Sequence, residues 1–154
     1  MTTFAIHPLP AAIIDEIRAT RSDATGRPVE VMIAGGGEPV RCCLRDATAQ
    51  DELLLVNYQP PLPDSPYRET GAVFIHAQPC EQPPVRSEYP ADWLRRPQVL
   101  RAYDERGWIH EATTVHDGTD PERALRDVLA QPGVVVVHSR NVAYGCYMFA
   151  ATRN

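Results

Sequence analysis

A thiol, an imidazole and a guanidinium lie close together near the end of the sequence. His138 and Arg140 follow a run of four valines, and Cys146 comes a few residues later. A guanidinium favours the thiolate form of a neighbouring cysteine, and a nearby imidazole can accept the thiol proton. The three residues are therefore a candidate catalytic site for thiol chemistry, with Cys146 as the nucleophile and His138 as its base.

Two predicted strands must bring these side chains together. The valines favour an extended backbone because their branched Cβ atoms pack well on a pleated surface, and residues 146–152 alternate like a second strand. A short turn at residues 141–145 makes a hairpin in which Arg140 faces Cys146 and His138 faces Met148. A shift of one residue would turn Cys146 to the other face. In the alternative interpretation, Cys146 is a small buried hydrophobe and His138 a hydrogen-bonded residue at a strand end.

A second set of polar residues is suited to binding an anion. Tyr67 and Arg68 lie in a stiff proline-rich loop, where a phenol and a planar guanidinium can clamp an anionic group. Arg101 lies on a predicted strand and needs a partner if its side chain faces inward. With Arg140 and Asn141, these residues form a predicted ligand-binding pocket. The alternative is structural, with Arg68 paired to a carboxylate of the chain and Tyr67 packed on the sheet.

The cysteine pattern gives little support for a metal site. The sequence has no CxxC pair, and the adjacent Cys42 and Cys43 are predicted to point to opposite faces of a strand. His76, His138 and Cys146 would form a ligand trio only if three strands converge. We therefore predict no metal ligand and no cofactor.

Composition limits the class of protein. A chain of 154 residues, 44% of them hydrophobic, is large enough for one packed domain over residues 1–154. A net charge of −5 argues against a nucleic acid or an anionic membrane as a partner. The sequence has neither a signal-peptide pattern nor an apolar run approaching the roughly 18 residues of a spanning helix. We therefore expect a cytoplasmic protein with reduced cysteines.

Local patterns predict two main helices and about eight strands. One helix is opened by Pro8 and Pro10, and the other starts at Pro121 after a capping Asp120. One or two helical turns are expected at residues 90–96. The strands are predicted at residues 29–33, 40–44, 52–58, 72–76, 98–103, 108–115, 134–140 and 146–152.

These elements predict an α+β protein. Short turns join most neighbouring strands and so favour antiparallel pairing. The expected architecture is a strand-rich, mostly antiparallel sheet or a partly closed barrel of about eight strands, with two main helices. Exposed strand edges, which can pair between molecules, suggest a homodimer.

Several motifs in a fixed order resemble one protein family. They are Arg41-Xaa-Cys43-Leu44-Arg45-Asp46-Ala47, Ser65-Pro66-Tyr67-Arg68 with Gly71 and Phe74-Ile75-His76, Leu100-Arg101-Ala102-Tyr103-Asp104 with Gly107, and His138 through Asn141 to Gly145-Cys146. In this order they resemble the bacterial domain of unknown function 1203 family, from Arg41 to Thr152. Val40 follows Pro39 where members of that family often have a cysteine. The resemblance implies a small soluble bacterial protein, and it implies no activity.

The sequence therefore supports two functional hypotheses. The first is a binding or interaction domain whose small polar pocket accepts an anionic molecule or a peptide segment. The alternative is a thiol-dependent enzyme or redox protein that uses Cys146 with His138 and Arg140. The sequence leaves open whether the protein is an enzyme.

Overall fold

The computed structural model describes residues 2–81 and 85–154, and its strands form two sheets. The first sheet contains β1 (Phe4–His7), β7 (Gln98–Tyr103), β8 (Thr114–His116), β9 (Val136–Asn141) and β10 (Tyr147–Arg153). Its strand order is β1-β10-β9-β7-β8, and every pairing between neighbours is antiparallel.

The second sheet is mixed. It contains β2 (Glu30–Ile33), β3 (Pro39–Val40), β4 (Arg45–Asp46), β5 (Glu52–Tyr58) and β6 (Gly71–His76), in the order β2-β5-β6-β3-β4. The short β3 runs parallel to β6, while the other neighbours are antiparallel. The edge strand β2 is exposed along its whole length. The expected homodimer stays a prediction.

Each sheet packs against one helix. Helix α1 (Ala11–Thr20) buries Ile14 and Ile17 in a core formed with β5 and β6. Helix α2 (Pro121–Leu129) buries Leu125 and Leu129 against the first sheet. Burial of each such side chain stabilises the fold by about 1.5–3 kcal/mol. A 3-10 helix spans Ala91–Trp93. Neither α-helix of the described residues has the length and apolar character needed to cross a membrane.

The helix starts follow from local chemistry. The carboxylate of Asp120 accepts a hydrogen bond from the backbone N–H of Arg123 at 3.2 Å, and Pro121 occupies the first helical position. Such a cap satisfies one of the N–H groups that a helix start leaves unpaired. The predicted start of α2 is therefore confirmed, and α1 begins at Ala11, directly after Pro10 as predicted, without a side-chain cap.

The predicted α+β class is confirmed, but the architecture differs in detail. The described strands number ten, and they form two open sheets, so the partly closed barrel was wrong. The predicted strand at residues 108–115 is reduced to β8, since side chains replace strand pairing before it: the His110 ring accepts from the backbone N–H of Ala112, and the Thr113 hydroxyl accepts from the backbone N–H of Ala102 in β7. The predicted strand at residues 40–44 stops at Val40 and continues as a turn, in which Leu44 has a φ of 56°.

The predicted hairpin of β9 and β10 forms, but its register was wrong. Arg140 pairs with Tyr147 rather than with Cys146, and His138 pairs with Ala150 rather than with Met148. The backbone N–H of Asn141 bonds to the carbonyl of Cys146 at 2.9 Å, which places Cys146 at the end of the connecting loop. An irregularity between Tyr147 and Phe149 then shifts the rest of the ladder.

Candidate metal centre

Three cysteines and one histidine meet beside β6 in the second sheet. Cys42 and Cys43 lie in the turn after β3, His76 is the last residue of β6, and Cys80 follows in the next loop. The three Sγ atoms and one imidazole nitrogen all lie within 4.8 Å of one another. We call these four residues the Cys/His cluster.

The turn at residues 41–44 explains why two adjacent cysteines point the same way. In a strand, successive side chains alternate between faces, but here β3 has already ended. The turn is anchored on β6, because the backbone N–H of Arg41 bonds to the carbonyl of Phe74 at 2.9 Å. Both thiols therefore reach the same nitrogen: Nδ1 of His76 lies 3.8 Å from Cys42 Sγ and 3.7 Å from Cys43 Sγ.

The distances are close to those of a four-coordinate zinc site. With Zn–S near 2.3 Å and Zn–N near 2.0 Å, tetrahedral ligand atoms are separated by roughly 3.5–3.8 Å. The two sulfur–nitrogen distances fall in or next to that range. Cys42 Sγ and Cys80 Sγ are closer, at 3.0 Å. Small side-chain rotations would open that pair to the spacing of a tetrahedral site.

A second layer of charged groups surrounds the cluster. Nη2 of Arg18 lies 3.7 Å from Cys80 Sγ and 3.9 Å from Cys42 Sγ, and Nε donates to the carbonyl of His76 at 3.1 Å. On the other side, Nε2 of His76 lies 3.2 Å from a carboxylate oxygen of Asp51. A carboxylate on the outer nitrogen of a histidine fixes its tautomer and orients it toward a metal.

The thiols differ in how readily they lose a proton. Hydrogen bonds from Cys42 and then from Cys43 lower the pKa of Cys80, and His76 and Arg18 add to that effect. The pKa of Cys42 is raised, because its side chain bonds to Cys43 and Cys80 and because it is buried. Cys80 is therefore the first thiol of the cluster to lose its proton as the pH rises. It is partly exposed, so solvent can reach it.

The predicted anion-binding residues meet only in part. Arg101 Nη1 lies 2.7 Å from one carboxylate oxygen of Glu69, and Arg140 Nη2 lies 3.5 Å from the other. The ring of Tyr67 packs edge-on against Trp108, with 5.8 Å between ring centroids. Tyr67, Glu69 and Arg140 line one narrow cleft.

Two other predicted ligands stand apart from this cleft. Arg68 is exposed, and its backbone N–H closes a turn on the carbonyl of Ser65. Asn141 ends β9 opposite Gln98. Neither residue lines the cleft of Tyr67 and Arg140.

His138 is buried between two tyrosines. Its ring centroid lies 4.8 Å from that of Tyr103 and 5.4 Å from that of Tyr147. Burial, reinforced by the positive charge of Arg140, lowers the pKa of His138 to about 4, so the imidazole is neutral at pH 7.

Cys146 and the predicted metal trio are not assembled as expected. Cys146 Sγ lies 3.9 Å from the carbonyl of Tyr144, and the buried guanidinium of Arg41 is its charged neighbour. His76 lies in the second sheet with the Cys/His cluster, while His138 lies in the first. The chain therefore does not gather His76, His138 and Cys146 at one site.

A larger cavity is lined by neither the Cys/His cluster nor the residues of the narrow cleft beside Tyr67 and Arg140. It has a volume of about 660 Å³ and lies beside the segment from His7 to Ala11 and the rings of Tyr58 and Tyr147. Its walls are largely apolar, and none of the four cysteines lines it. The cavity therefore adds no group to the Cys/His cluster.

Sequence reasoning missed the cluster, although a local signal was present. His76 and Cys80 are separated by three residues, a spacing typical of paired ligands in zinc sites. The adjacent Cys42 and Cys43 add two further soft ligands. The missing information was the turn at residues 41–44, without which the two cysteines cannot face the same ion.

Comparisons with known proteins give a family and no activity. A family model described as "Protein of unknown function (DUF1203)" matches residues 37–153. Searches of curated proteins and of solved structures found no match.

Proposed function

Because the chain belongs to the DUF1203 family, whose description states no activity, we propose a function from its geometry: the protein binds a zinc ion at the Cys/His cluster. The observation that carries this proposal is the convergence of three sulfurs and one imidazole nitrogen within 4.8 Å. Thiolate and imidazole ligands favour zinc over the hard cations Mg²⁺ and Ca²⁺, which prefer oxygen.

The charge balance supports this assignment. Three thiolates and a neutral imidazole around Zn²⁺ carry a net charge of −1, because each thiolate contributes one negative charge. The guanidinium of Arg18 offsets that charge from within 4 Å of two sulfurs. The site is built for a doubly charged ion with soft ligands.

Four protein ligands favour a structural or sensing role over catalysis. Catalytic zinc sites commonly keep one position open for water or substrate, whereas structural sites are closed by four side chains. A bound ion would tie the turn after β3 to β6 and to the loop that carries Cys80. Arg18 would fasten α1 to the same point.

Elemental analysis of protein purified without an affinity tag tests the proposal. We expect about one zinc ion per chain, and we expect Cys80→Ser and His76→Ala to lose it. Cys146→Ser is the matched control, because this fourth cysteine lies outside the cluster. Cobalt substitution should give the thiolate-to-metal absorption of a tetrahedral site. Absence of binding at equimolar zinc, or an equal loss in Cys146→Ser, would overturn the proposal.

A second candidate function is the binding of a small anion. The specific observation in its favour is that Arg101 and Arg140 direct their guanidinium groups to one point, beside Tyr67 and Glu69. Titration of small anions into Arg140→Ala and wild-type protein tests it, and equal heats in the two proteins would exclude the site.

Thiol chemistry at Cys146 is the remaining alternative. Its support is positional, because the buried guanidinium of Arg41 is the charged neighbour of Cys146. His138 would be the base of such a site. Alkylation of Cys146 with a midpoint near pH 8.5 would exclude an activated thiol. Zinc binding and thiol chemistry both require reduced cysteines, which fits a cytoplasmic protein.

A further inference from the structure

We infer that Arg101, Arg140 and His138 form a carboxylate-binding site in which Glu69 is a displaceable internal ligand. This inference rests on the second candidate function, the binding of a small anion. It adds the chemical class of the ligand, a carboxylate, and it assigns Glu69 as the group that occupies the site when no ligand is bound.

The side chains of Arg101, His138 and Arg140 lie on one face of two neighbouring strands. Arg101 of β7 pairs directly with His138 of β9, and Arg140 lies two residues further along β9. Directly opposed residues and residues two apart share a face of a sheet. The two guanidinium groups and the imidazole are therefore held by the strand ladder.

The carboxylate comes from a different kind of segment. Glu69 lies between β5 and β6, in a connection that contains neither helix nor strand. Its side chain is 48% exposed, whereas the side chain of Arg140 is 11% exposed. Each ion pair of Glu69 therefore has one solvent-exposed partner, which limits how much the pair stabilises the fold. His138 and most of Arg140 are thus buried and Arg101 is partly exposed, whereas solvent can reach the carboxylate that the two arginines hold.

Glu69 leaves two buried nitrogen atoms of Arg140 and His138 without a hydrogen-bond partner among the described residues. Its contact with Arg140 is long, at 3.5 Å to Nη2, and the buried Nε of Arg140 has no hydrogen-bond partner among the described residues. Nε2 of His138, a residue only 2% exposed, is likewise unpartnered. Buried polar atoms of this kind usually have hydrogen-bond partners, and leaving one without a partner destabilises the fold.

The cleft lined by these residues cannot supply the missing partners. Its walls include Tyr67, Glu69, Tyr103, His138 and Arg140, and it is too narrow for a water molecule. When Glu69 is displaced, an untethered carboxylate can approach Arg140 side-on and accept from both Nε and Nη2, which is the bidentate geometry that guanidinium groups favour. The backbone tether of Glu69 holds its carboxylate at one edge of that position.

Two positive charges with a neutral imidazole suit a small carboxylate. Phosphate, which carries more charge and is tetrahedral, is the comparison ligand. As an attached competitor, Glu69 acts at an effective concentration in the millimolar range or above, so its removal should strengthen binding of a free carboxylate by ~10-fold or more.

The test uses full-length Glu69→Ala and Glu69→Gln proteins, with formate and acetate as probes. Both variants should bind formate at least ~10-fold more tightly than wild type does in isothermal titration. Glu69→Ala should also regain thermal stability in formate, relative to chloride at equal ionic strength. Adding Arg140→Ala to Glu69→Ala should abolish both effects.

The outcomes separate the two ideas. If the Glu69 variants bind no anion, the anion-binding function itself fails. If they bind formate but no better than chloride or phosphate, or no better than wild type does, the pocket exists and the inference about Glu69 is wrong. If Glu69→Ala unfolds, Glu69→Gln carries the test, because it keeps the shape of the side chain and removes the charge.

Discussion

Cys42 Sγ and Cys80 Sγ lie 3.0 Å apart, although the two residues are 38 positions apart in the sequence. This distance is longer than the S–S bond of a disulfide, about 2.05 Å, and shorter than the sulfur spacing of roughly 3.8 Å around zinc. A shift of about 1 Å in either direction reaches one state or the other. The proposed zinc binding and disulfide formation would therefore compete for the same two sulfurs.

Oxidation should join these two cysteines first. Hydrogen peroxide takes two hydrogens from the thiols of Cys42 and Cys80, so that one S–S bond and two waters form. Cys80 is the expected attacking thiolate, since its pKa is lowered by its hydrogen-bonded neighbours. Peptide mapping should find the Cys42–Cys80 link, with release of any bound zinc. A link or adduct that forms first at Cys146 would contradict this order.

The second layer should control metal affinity without providing a ligand. Arg18→Gln removes the charge that faces two sulfurs, and Asp51→Asn weakens the contact that orients His76. Each change should weaken zinc binding by about 10-fold or more, measured by competition with a chromophoric chelator. Arg21→Gln is the control, because it makes the same charge change at the exposed end of the same helix. Equal affinities in the Arg18 and Arg21 variants would contradict the role of Arg18.

His138 should make stability depend on pH. Its pKa falls from 6.5 in the unfolded chain to about 4 in the folded protein, mainly because it is buried. The unfolded state therefore binds the extra proton between these values, and stability falls as the pH drops from 6.5 to 4. The full effect is about 3 kcal/mol. His138→Phe, which can still pack between the two tyrosines, should have a shallower pH profile in urea unfolding. Identical slopes would show that His138 is not the group responsible.

Arg41 should be important for stability, although it has no carboxylate among its hydrogen-bond partners in the described residues. Its Nε donates to the carbonyl of Tyr147 at 2.7 Å, and Nη1 donates to the carbonyl of Pro39. Burial lowers the pKa of Arg41 to about 10, so it stays charged at pH 7. Loss of these charged hydrogen bonds in Arg41→Ala should cost about 3 kcal/mol in unfolding free energy. Arg123→Ala, at an exposed ion pair, should cost less than about 0.5 kcal/mol.

The elements whose signals are local could be predicted from the sequence. The strand at residues 52–58 has the predicted bounds, because alternating burial and flanking turns mark it clearly. The start of α2 was equally clear from Asp120 and Pro121. β1 was missed, because it is defined by pairing with β10 at the far end of the chain, and local patterns carry no such long-range contact.

The candidate site was harder to predict for a specific reason. Residues 40–44 have the composition of a strand, and only the left-handed backbone of Leu44 shows that the chain turns there. A bulky residue with positive φ is uncommon, so no sequence rule indicates it. The thiol hypothesis for Cys146 similarly depended on a register that differs by one residue at Arg140 and, after the bulge of β10, by two residues at His138. Arg101 and Arg140 were predicted to bind an anion, but their contact with Glu69 required the fold.

Two consecutive residues of the turn at residues 41–44 contact different sheets. Cys42 contacts His76 of the second sheet within the Cys/His cluster, and Arg41 donates a hydrogen bond to the carbonyl of Tyr147 in the first sheet. A rearrangement of the sulfurs would therefore move the backbone of this turn, and with it the hydrogen bond from Arg41 to the start of β10. We expect amide hydrogen exchange along β10 to speed up when zinc is removed with a chelator, so that the first sheet reports on metal occupancy beside the second sheet.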